Sequence, residues 1–501
     1  MADKSVIIIG AGIAGLSAGC YGQMNGYRTQ IFEMDTRPGG LCTTWKRKGY
    51  KIDGCIEYWL GSGPGSGFYR MWEELGAVQG RSMIYQDEWA RVEGERGKVF
   101  ILYTDINRLE QHMKELAPAD EDVTKEFIQA ARISIQFKNI PPDKAPELFG
   151  LVDYLKMMFT MMPYSRFMKK WSKISIQDFA KRFKDPFLRE AFPLAGFPPI
   201  LSMCALLTNL PWIQQKQAGF PLGGSLEIAR AIERRYLGLG GEIHYKSQVT
   251  GIIVKNNQTV GIRLADGTEH RSDVVISAAD GRTTIFDMLG GNYVNDEIRG
   301  YYKNLPTMPP LIYIGLGVAR SFSEPHSVFG VNYPLHKPVT IAGRELNRLP
   351  VHIYNFDPSL APAGKTMLRV KLDSDYEYWS KLREEPGRYK AEKDKIAEEV
   401  IALLEQRFPG LAAQVEMRDV ATPTTFERYT SNWRGSYMGW ASTTETLSMR
   451  MSKTLPGLGN FYMAGQWVEP GGGTPVAVMS GRNVVQIISK QDKRPFVTMV
   501  P

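Results

Sequence analysis

Glycine at fixed spacing carries the clearest chemistry in this chain. Gly10, Gly12 and Gly15 fall in Gly10-Ala11-Gly12-Ile13-Ala14-Gly15, directly after the β-branched run Ser5–Ile9 and before a helical stretch at 16–25. Gly10 permits a tight turn, Gly12 lets backbone approach a pyrophosphate, and Gly15 lets helix and strand pack closely. The phosphates then face the free N–H groups at the helix start. Gly26 closes the helix, a second strand spans 28–32, and Glu33 ends it, placed to accept hydrogen bonds from ribose hydroxyls. An acid there repels a 2′-phosphate. A bare G-x-G-x-x-G is only a turn, but with both strands, the helix and the acid it reads as a dinucleotide site.

Nucleophilic and metal chemistry leave no comparable trace. No Ser-His-Asp or Cys-His arrangement is present. Cys20, Cys42, Cys55 and Cys204 contain no Cys-x-x-Cys pair, and none of the six histidines lies three or four residues from another. No metal site is expected, and a reducing compartment is the natural setting.

Holding a dinucleotide and a reactant takes more than one core, and 501 residues supply two large domains or three smaller ones. A chain that is 43% apolar and 23% charged is globular, not collagen-like, disordered or a disulfide scaffold. The 61 basic and 53 acidic residues leave +8, enough for a phosphate-bearing cofactor or anionic lipid. No basic run points to a nucleic-acid partner. Nothing specifies an oligomeric state.

Arg37-Pro38-Gly39-Gly40-Leu41-Cys42-Thr43-Thr44-Trp45 follows Glu33 and Met34 directly, and Gly49-Tyr50-Lys51-Ile52-Asp53-Gly54 comes next. This arrangement resembles the FAD-dependent phytoene desaturase and carotenoid isomerase-like group of the flavin amine oxidase superfamily. That group's extended motif runs from the first strand into R-x-G-G and on to an aromatic-x-x-Asp-Gly step. The resemblance implies FAD as cofactor, with Arg37, Gly39 and Gly40 along it. Many members carry an arginine where Leu41 stands here. In the middle of the chain, Phe220-Pro221-Leu222-Gly223-Gly224-Ser225 precedes a helix at 226–237 with Ser225 as its N-cap, and strands follow at 242–245 and 249–255. The resemblance puts the second of these over the adenine, with Val249 offering backbone hydrogen bonds. Near the C-terminus, Ala464-Gly465-Gln466-Trp467 and Gly471-Gly472-Gly473-Thr474-Pro475-Val476 resemble the strand, turn and helix start that hold the ribityl-phosphate and pyrimidine end. Distant relatives have an acid at Gln466. The implied cofactor set is Gly10, Gly12, Ile13, Ala14, Gly15, Glu33, Met34, Arg37, Gly39, Gly40, Leu41, Val249, Gly465, Gln466, Gly473, Thr474, Pro475 and Val476.

No second glycine motif opens a helix after a buried strand. Residues 61–67 read as a flexible loop, and Gly315 and Gly317 lie inside the apolar strand 311–318, where glycine allows close backbone packing. Without a separate nicotinamide domain, the electron acceptor is oxygen, a quinone or a transiently bound nicotinamide. The expected fold is α/β: a Rossmann-type FAD-binding domain from 1–80, 215–300 and 455–491, with a discontinuous α+β substrate domain from 81–214 and 301–454. Strands are expected at 351–356 and 366–372, with an amphipathic helix at 391–408.

The first substrate stretch reads as helical and oily. Residues 151–171 are dense in methionine, aromatic rings and cations, which suits an adaptable apolar cavity or contact with anionic lipid through Arg166, Lys169 and Lys170. Residues 191–215 carry no charge, but Pro193, Pro198, Pro199 and Pro211 exclude a membrane-spanning helix. That run is cavity wall or a patch lying on a membrane surface. The N-terminus lacks a basic leader, and a cytoplasmic protein, peripheral on the inner membrane face, is expected.

Flavin supplies the hydride chemistry, so the protein must provide an apolar cavity, positioning and one proton-transfer group. Glu57, Tyr58 and Glu469 are the titratable residues nearest in sequence to the implied flavin contacts. Glu469 is expected to be partly desolvated and to take or give the proton. Trp440 and Trp467 imitate the aromatic pair of amine oxidases. The group's activity implies an oxidoreductase adding, removing or rearranging hydrogens at carbon–carbon bonds of a long apolar, isoprenoid-like substrate. Oxidation of a C–N bond and non-catalytic flavin binding are the alternatives.

Overall fold

The structure, a computed structural model, describes residues 4–136, 143–447, 449 and 451–501. Residues 1–3 and 137–142, at the start and within the first two expected domain segments, lie outside the described residues.

Five parallel strands lie beneath the glycine motif, in the order Glu242–His244, Arg28–Phe32, Ser5–Ile9, Val274–Ser277 and Phe461–Met463. The central strand is covered on both faces, so its sequence is a continuous apolar run rather than an alternation. Helix Ile13–Met24 leaves it at Gly12, and the final helix Thr474–Gln491 crosses that helix closely. A Cβ on Gly481 would lie 2.4 Å from the Ala14 carbonyl oxygen, so only glycine allows this crossing.

A seven-stranded sheet stands over the cavity side. Its order is Val415–Ala421, Leu311–Val318, Thr366–Asp373, Arg344–Ile353, Val331–Ile341, Glu88–Glu93 and Val99–Tyr103. All neighbours are antiparallel except Val331–Ile341 with Glu88–Glu93. Helix Pro386–Arg407 covers one face, setting Ile396, Val400 and Leu404 against Leu316, Leu368 and Val370. The architecture is the expected α/β one.

Several local expectations are corrected. The stretch after residue 81 is not purely helical: Glu88–Glu93 and Val99–Tyr103 pair as a hairpin and extend the sheet. Helix 226–238 has no side-chain cap, because the Ser225 hydroxyl donates to Asp53 Oδ1 at 2.6 Å instead. The expected loop at 61–67 ends at Ser66, which caps helix Gly67–Glu74 by accepting from the Tyr69 N–H. The glycines of Leu311–Val318 do permit close packing: a Cβ on Gly317 would press into the Tyr50 ring at 2.6 Å.

Candidate active site

A cavity of about 750 Å³ separates the parallel sheet from the seven-stranded one. Backbone forms one wall. Gly10 turns the chain at φ +95°, and Gly12 begins the first helix with no side-chain cap, leaving first-turn N–H groups for an anion. A Cβ on Gly12 would meet no protein atom within 4 Å and would stand in the cavity itself. Gly15 does not line the cavity; its Cβ would sit 2.0 Å from the Gly10 carbonyl oxygen, so its part is the strand–helix contact. Across the cavity, Gly471, Gly472 and Gly473 run at φ +102°, +57° and +84° into the helix at Thr474, a path open to glycine alone.

Glu33 is buried and faces this wall. Its two oxygens accept the N–H groups of Ala11 and Asp35 at 2.7 and 2.8 Å, and burial raises its pKa. Each oxygen keeps a lone pair for a ribose hydroxyl. Ile13, Ala14, Met34, Gly39, Gly40, Leu41, Val249, Gly465, Gln466, Pro475 and Val476 line the same cavity. Arg37 does not: its guanidinium donates to the Thr44 carbonyl at 3.3 Å and lies 3.5 Å from Asp35. An open helix start, a Cβ-sized gap at Gly12 and a buried acid beyond the second strand fit FAD.

The opposite wall is apolar. Phe197, Pro198, Leu201, Ala205 and Trp212 come from the uncharged run at 191–215, which supplies cavity wall. Helix Met203–Gln214 accommodates Pro211 and buries most of its length. By contrast, none of residues 151–171 lines the cavity, so their methionines do not shape it. Nor do Trp440 and Trp467 flank a slot. Their rings touch edge to face, 5.1 Å between centroids at 89°, in a cluster with Tyr302 and Trp433.

At one end the cavity becomes polar. Glu57 and Tyr58 line it, together with Lys371, Tyr313 and Tyr437. Both Glu57 oxygens accept from Arg369 Nη2, at 2.6 and 2.5 Å, and Lys371 and His352 pair with the same carboxylate. Despite its burial, these partners hold Glu57 well below the usual carboxylate range, so it is saturated and a poor proton carrier at neutral pH. Tyr58 donates to Asn209 Oδ1 at 3.0 Å, and burial keeps its phenol protonated. Glu469 does not line the cavity. Its carboxylate pairs at 2.5 Å with Lys453, a buried ammonium shared with Glu147, so the expected proton-transfer position is a structural ion pair.

A further acid, to which the glycine motifs do not point, faces the cavity. Asp280 lines the cavity just past the end of Val274–Ser277, the carboxyl edge where parallel sheets bind ligands. It accepts the N–H groups of Thr283 and Trp433, each at 2.8 Å, and burial lifts its pKa from 3.8 to about 6. Its signal was available as a carboxylate directly after a buried strand. Lys371 and Arg369 gave no such signal. Among the described residues, no group of three or more His, Cys, Asp or Glu is placed to hold a metal.

The family model described as flavin containing amine oxidoreductase matches residues 13–489. Among curated proteins, a chloroplastic prolycopene isomerase of Daucus carota is 24% identical, covering 96% of this chain and 79% of its own. A lycopene-forming phytoene desaturase of Pseudescherichia vulneris is also 24% identical, covering 97% and 99%. Among solved structures, an oxidoreductase from Methanosarcina mazei superposes with a TM-score of 0.61 at 18% identity, over 96% of this chain and 100% of its own.

Proposed function

The chain belongs to the flavin containing amine oxidoreductase family and is an FAD-dependent oxidoreductase, and from that premise we propose that it acts on carbon–carbon bonds of a long, mainly apolar substrate. Desaturation, saturation and isomerisation all fall within this reading, as the names of the desaturase and isomerase relatives do. We read 1–80, 215–300 and 455–491 as the cofactor half and the remainder as the substrate half. FAD, when bound, supplies hydride acceptance or donation. The chain's residues do the rest. Gly12 and the first-turn N–H groups receive the pyrophosphate, Glu33 the ribose, and the segment from Gly465 to Val476 the flavin end.

The observation that carries the reading is the wall made by Phe197, Leu201, Ala205 and Trp212: an apolar surface facing the glycine cradle, fit to exclude water from a hydrocarbon chain. The pair expected for an amine, Trp440 and Trp467, flanks no slot, and the Glu57 carboxylate at the cavity end is already taken by Arg369 and Lys371. Anaerobic mixing of holoenzyme with phytoene, and separately with a primary amine, tests this. Bleaching of the flavin band by the polyene alone is expected if the reaction is a desaturation. Isomerisation or saturation is checked by product chromatography with oxidised and pre-reduced enzyme. Bleaching by the amine alone returns the chain to C–N chemistry.

The substrate's route is read from helix Leu151–Met161, which has no buried residue. Leu151, Val152, Phe159 and Met162 are 76%, 77%, 62% and 61% exposed, an apolar surface with Lys156, Arg166 and Lys169 beside it. Lys170 is engaged by Glu126 at 2.7 Å. Such a patch suits an anionic membrane surface. No helix of the described residues is long and apolar enough to cross a membrane. Anionic vesicles should sediment the protein at low salt, and Phe159→Glu with Leu151→Glu should leave it in the supernatant. Sedimentation unaffected by both changes would exclude this helix.

A further inference from the structure

Strand Thr366–Asp373 reads Thr-Met-Leu-Arg-Val-Lys-Leu-Asp, alternating apolar and polar residues as a half-solvated strand does. Leu368, Val370 and Leu372 point into the core beneath helix Pro386–Arg407. Arg369 and Lys371 share the other face, and that face looks inward. The Arg369 side chain is 0% exposed, and Lys371, 21% exposed, lines the cavity.

The charges there do not balance. Glu57 is the one carboxylate paired with both cations. His352 Nε2 lies 2.9 Å from Glu57 and 3.0 Å from the Val328 carbonyl, and burial lowers its pKa, so the ring is neutral. Asp53 is occupied elsewhere, by the Ser225 N–H and hydroxyl, the Thr44 hydroxyl and the N–H groups of Cys55 and Ile56. Asp373, one pleat along, feels Arg344 as well as Lys371 and forms no ion pair among the described residues. Within ion-pair distance two cations therefore share one carboxylate; burial lowers the Lys371 pKa, while Glu57 and the exposed Asp373 oppose that shift.

Donors are in surplus too. Lys371 gives one N–H to Glu57 and has no other acceptor among the described residues. Tyr313, its cross-strand neighbour, is only 4% exposed, and neither its hydroxyl nor that of Tyr437 has a hydrogen-bond partner among the described residues. All three groups line the same end of the cavity.

We infer that this end is an anion subsite: Lys371, Tyr313 and Tyr437 receive a carboxylate at one end of the substrate while its apolar chain runs along the 197–212 wall. The inference rests on the apolar-substrate reading and narrows it from a pure hydrocarbon to an amphiphile. A carboxylate supplies the missing charge and accepts from several donors at once, whereas an alcohol brings no charge.

Holoenzyme titrated with retinoate and with retinol, which share one polyene, tests this through quenching of tryptophan fluorescence. Retinoate should bind about tenfold tighter or more, the scale of one charge-assisted hydrogen bond. Lys371→Gln should remove that preference and leave retinol binding in place. Tyr313→Phe, which deletes only a hydroxyl, should reduce it severalfold and serves if the lysine variant does not fold. Equal affinities in the wild type, or a preference untouched by Tyr313→Phe together with Tyr437→Phe, would overturn the subsite alone. Failure of both ligands to bind FAD-loaded protein would instead remove the apolar-substrate reading beneath it.

Discussion

The cradle around Gly12 and the polar end around Lys371 face one cavity but are built from different parts of the chain's chemistry. In the cradle the groups offered to a ligand are backbone N–H groups, and side chains matter chiefly by being absent. At the polar end the backbone is ordinary sheet, and function rests on which charges strands far apart in sequence bring together. The first surface cannot hold its ligand once a Cβ stands at Gly12. The second cannot accept a change of charge.

The comparison breaks most visibly at Gly12. Gly12→Val should abolish FAD binding, because the side chain would occupy the space that the pyrophosphate needs, while the apo fold survives since that Cβ meets no protein atom. A colourless protein with a near-wild-type circular dichroism spectrum is the expected result. A yellow one would remove Gly12 from the cofactor wall.

Next comes Glu57→Gln, which leaves Arg369 buried without its countercharge. Such breakage costs about 3–5 kcal/mol, read as a lower urea midpoint. The pH dependence follows in sign. Against the effect of burial, Arg369, Lys371 and His352 hold the folded Glu57 well below the usual carboxylate range, so its contribution is present above that range and is lost as pH falls through the folded pKa. A midpoint unchanged by the substitution would mean the cluster is not structural.

Asp280 has the opposite sign. Its folded pKa, about 6, exceeds the 3.8 of the exposed group, so the unfolded chain releases the proton first. Stability of the apo protein should fall as pH rises from about 4 to about 6, by up to about 3 kcal/mol. Asp280→Asn should flatten that slope. An unchanged slope assigns it to other groups.

The smallest effect is expected from Glu469→Gln. Losing a general acid or base slows a reaction by roughly 10²-fold or more, but a carboxylate held by Lys453 outside the cavity should change substrate-dependent flavin reduction by less than about threefold. Stopped-flow absorbance decides it, and a hundredfold loss would restore Glu469 to the chemistry.

What could be read in the sequence divides along the same line. The Gly10–Gly15 turn and Glu33 are legible because a few consecutive residues specify the backbone path there, and the ligand is met by that path. Arg369 and Lys371 are not legible, since alternation along Thr366–Asp373 says that one face differs from the other without saying which face meets water. Two oily segments make the same point. Residues 151–162 and 191–215 are both rich in apolar residues, yet the first lies exposed and the second supplies cavity wall.

By itself the sequence determined the strands beneath the glycine motif, the glycine turns, the cofactor class and the covering helix, expected at 391–408 and found at Pro386–Arg407, because spacing along the chain encodes local conformation and periodicity. Only the tertiary structure decided that Glu57 is an ion-pair centre, that Glu469 belongs to Lys453, and that Lys371 looks into the cavity. Those outcomes depend on which side chains converge from residues hundreds of positions apart, and on how much water their meeting excludes. Neither quantity is carried by the spacing of residues along one strand.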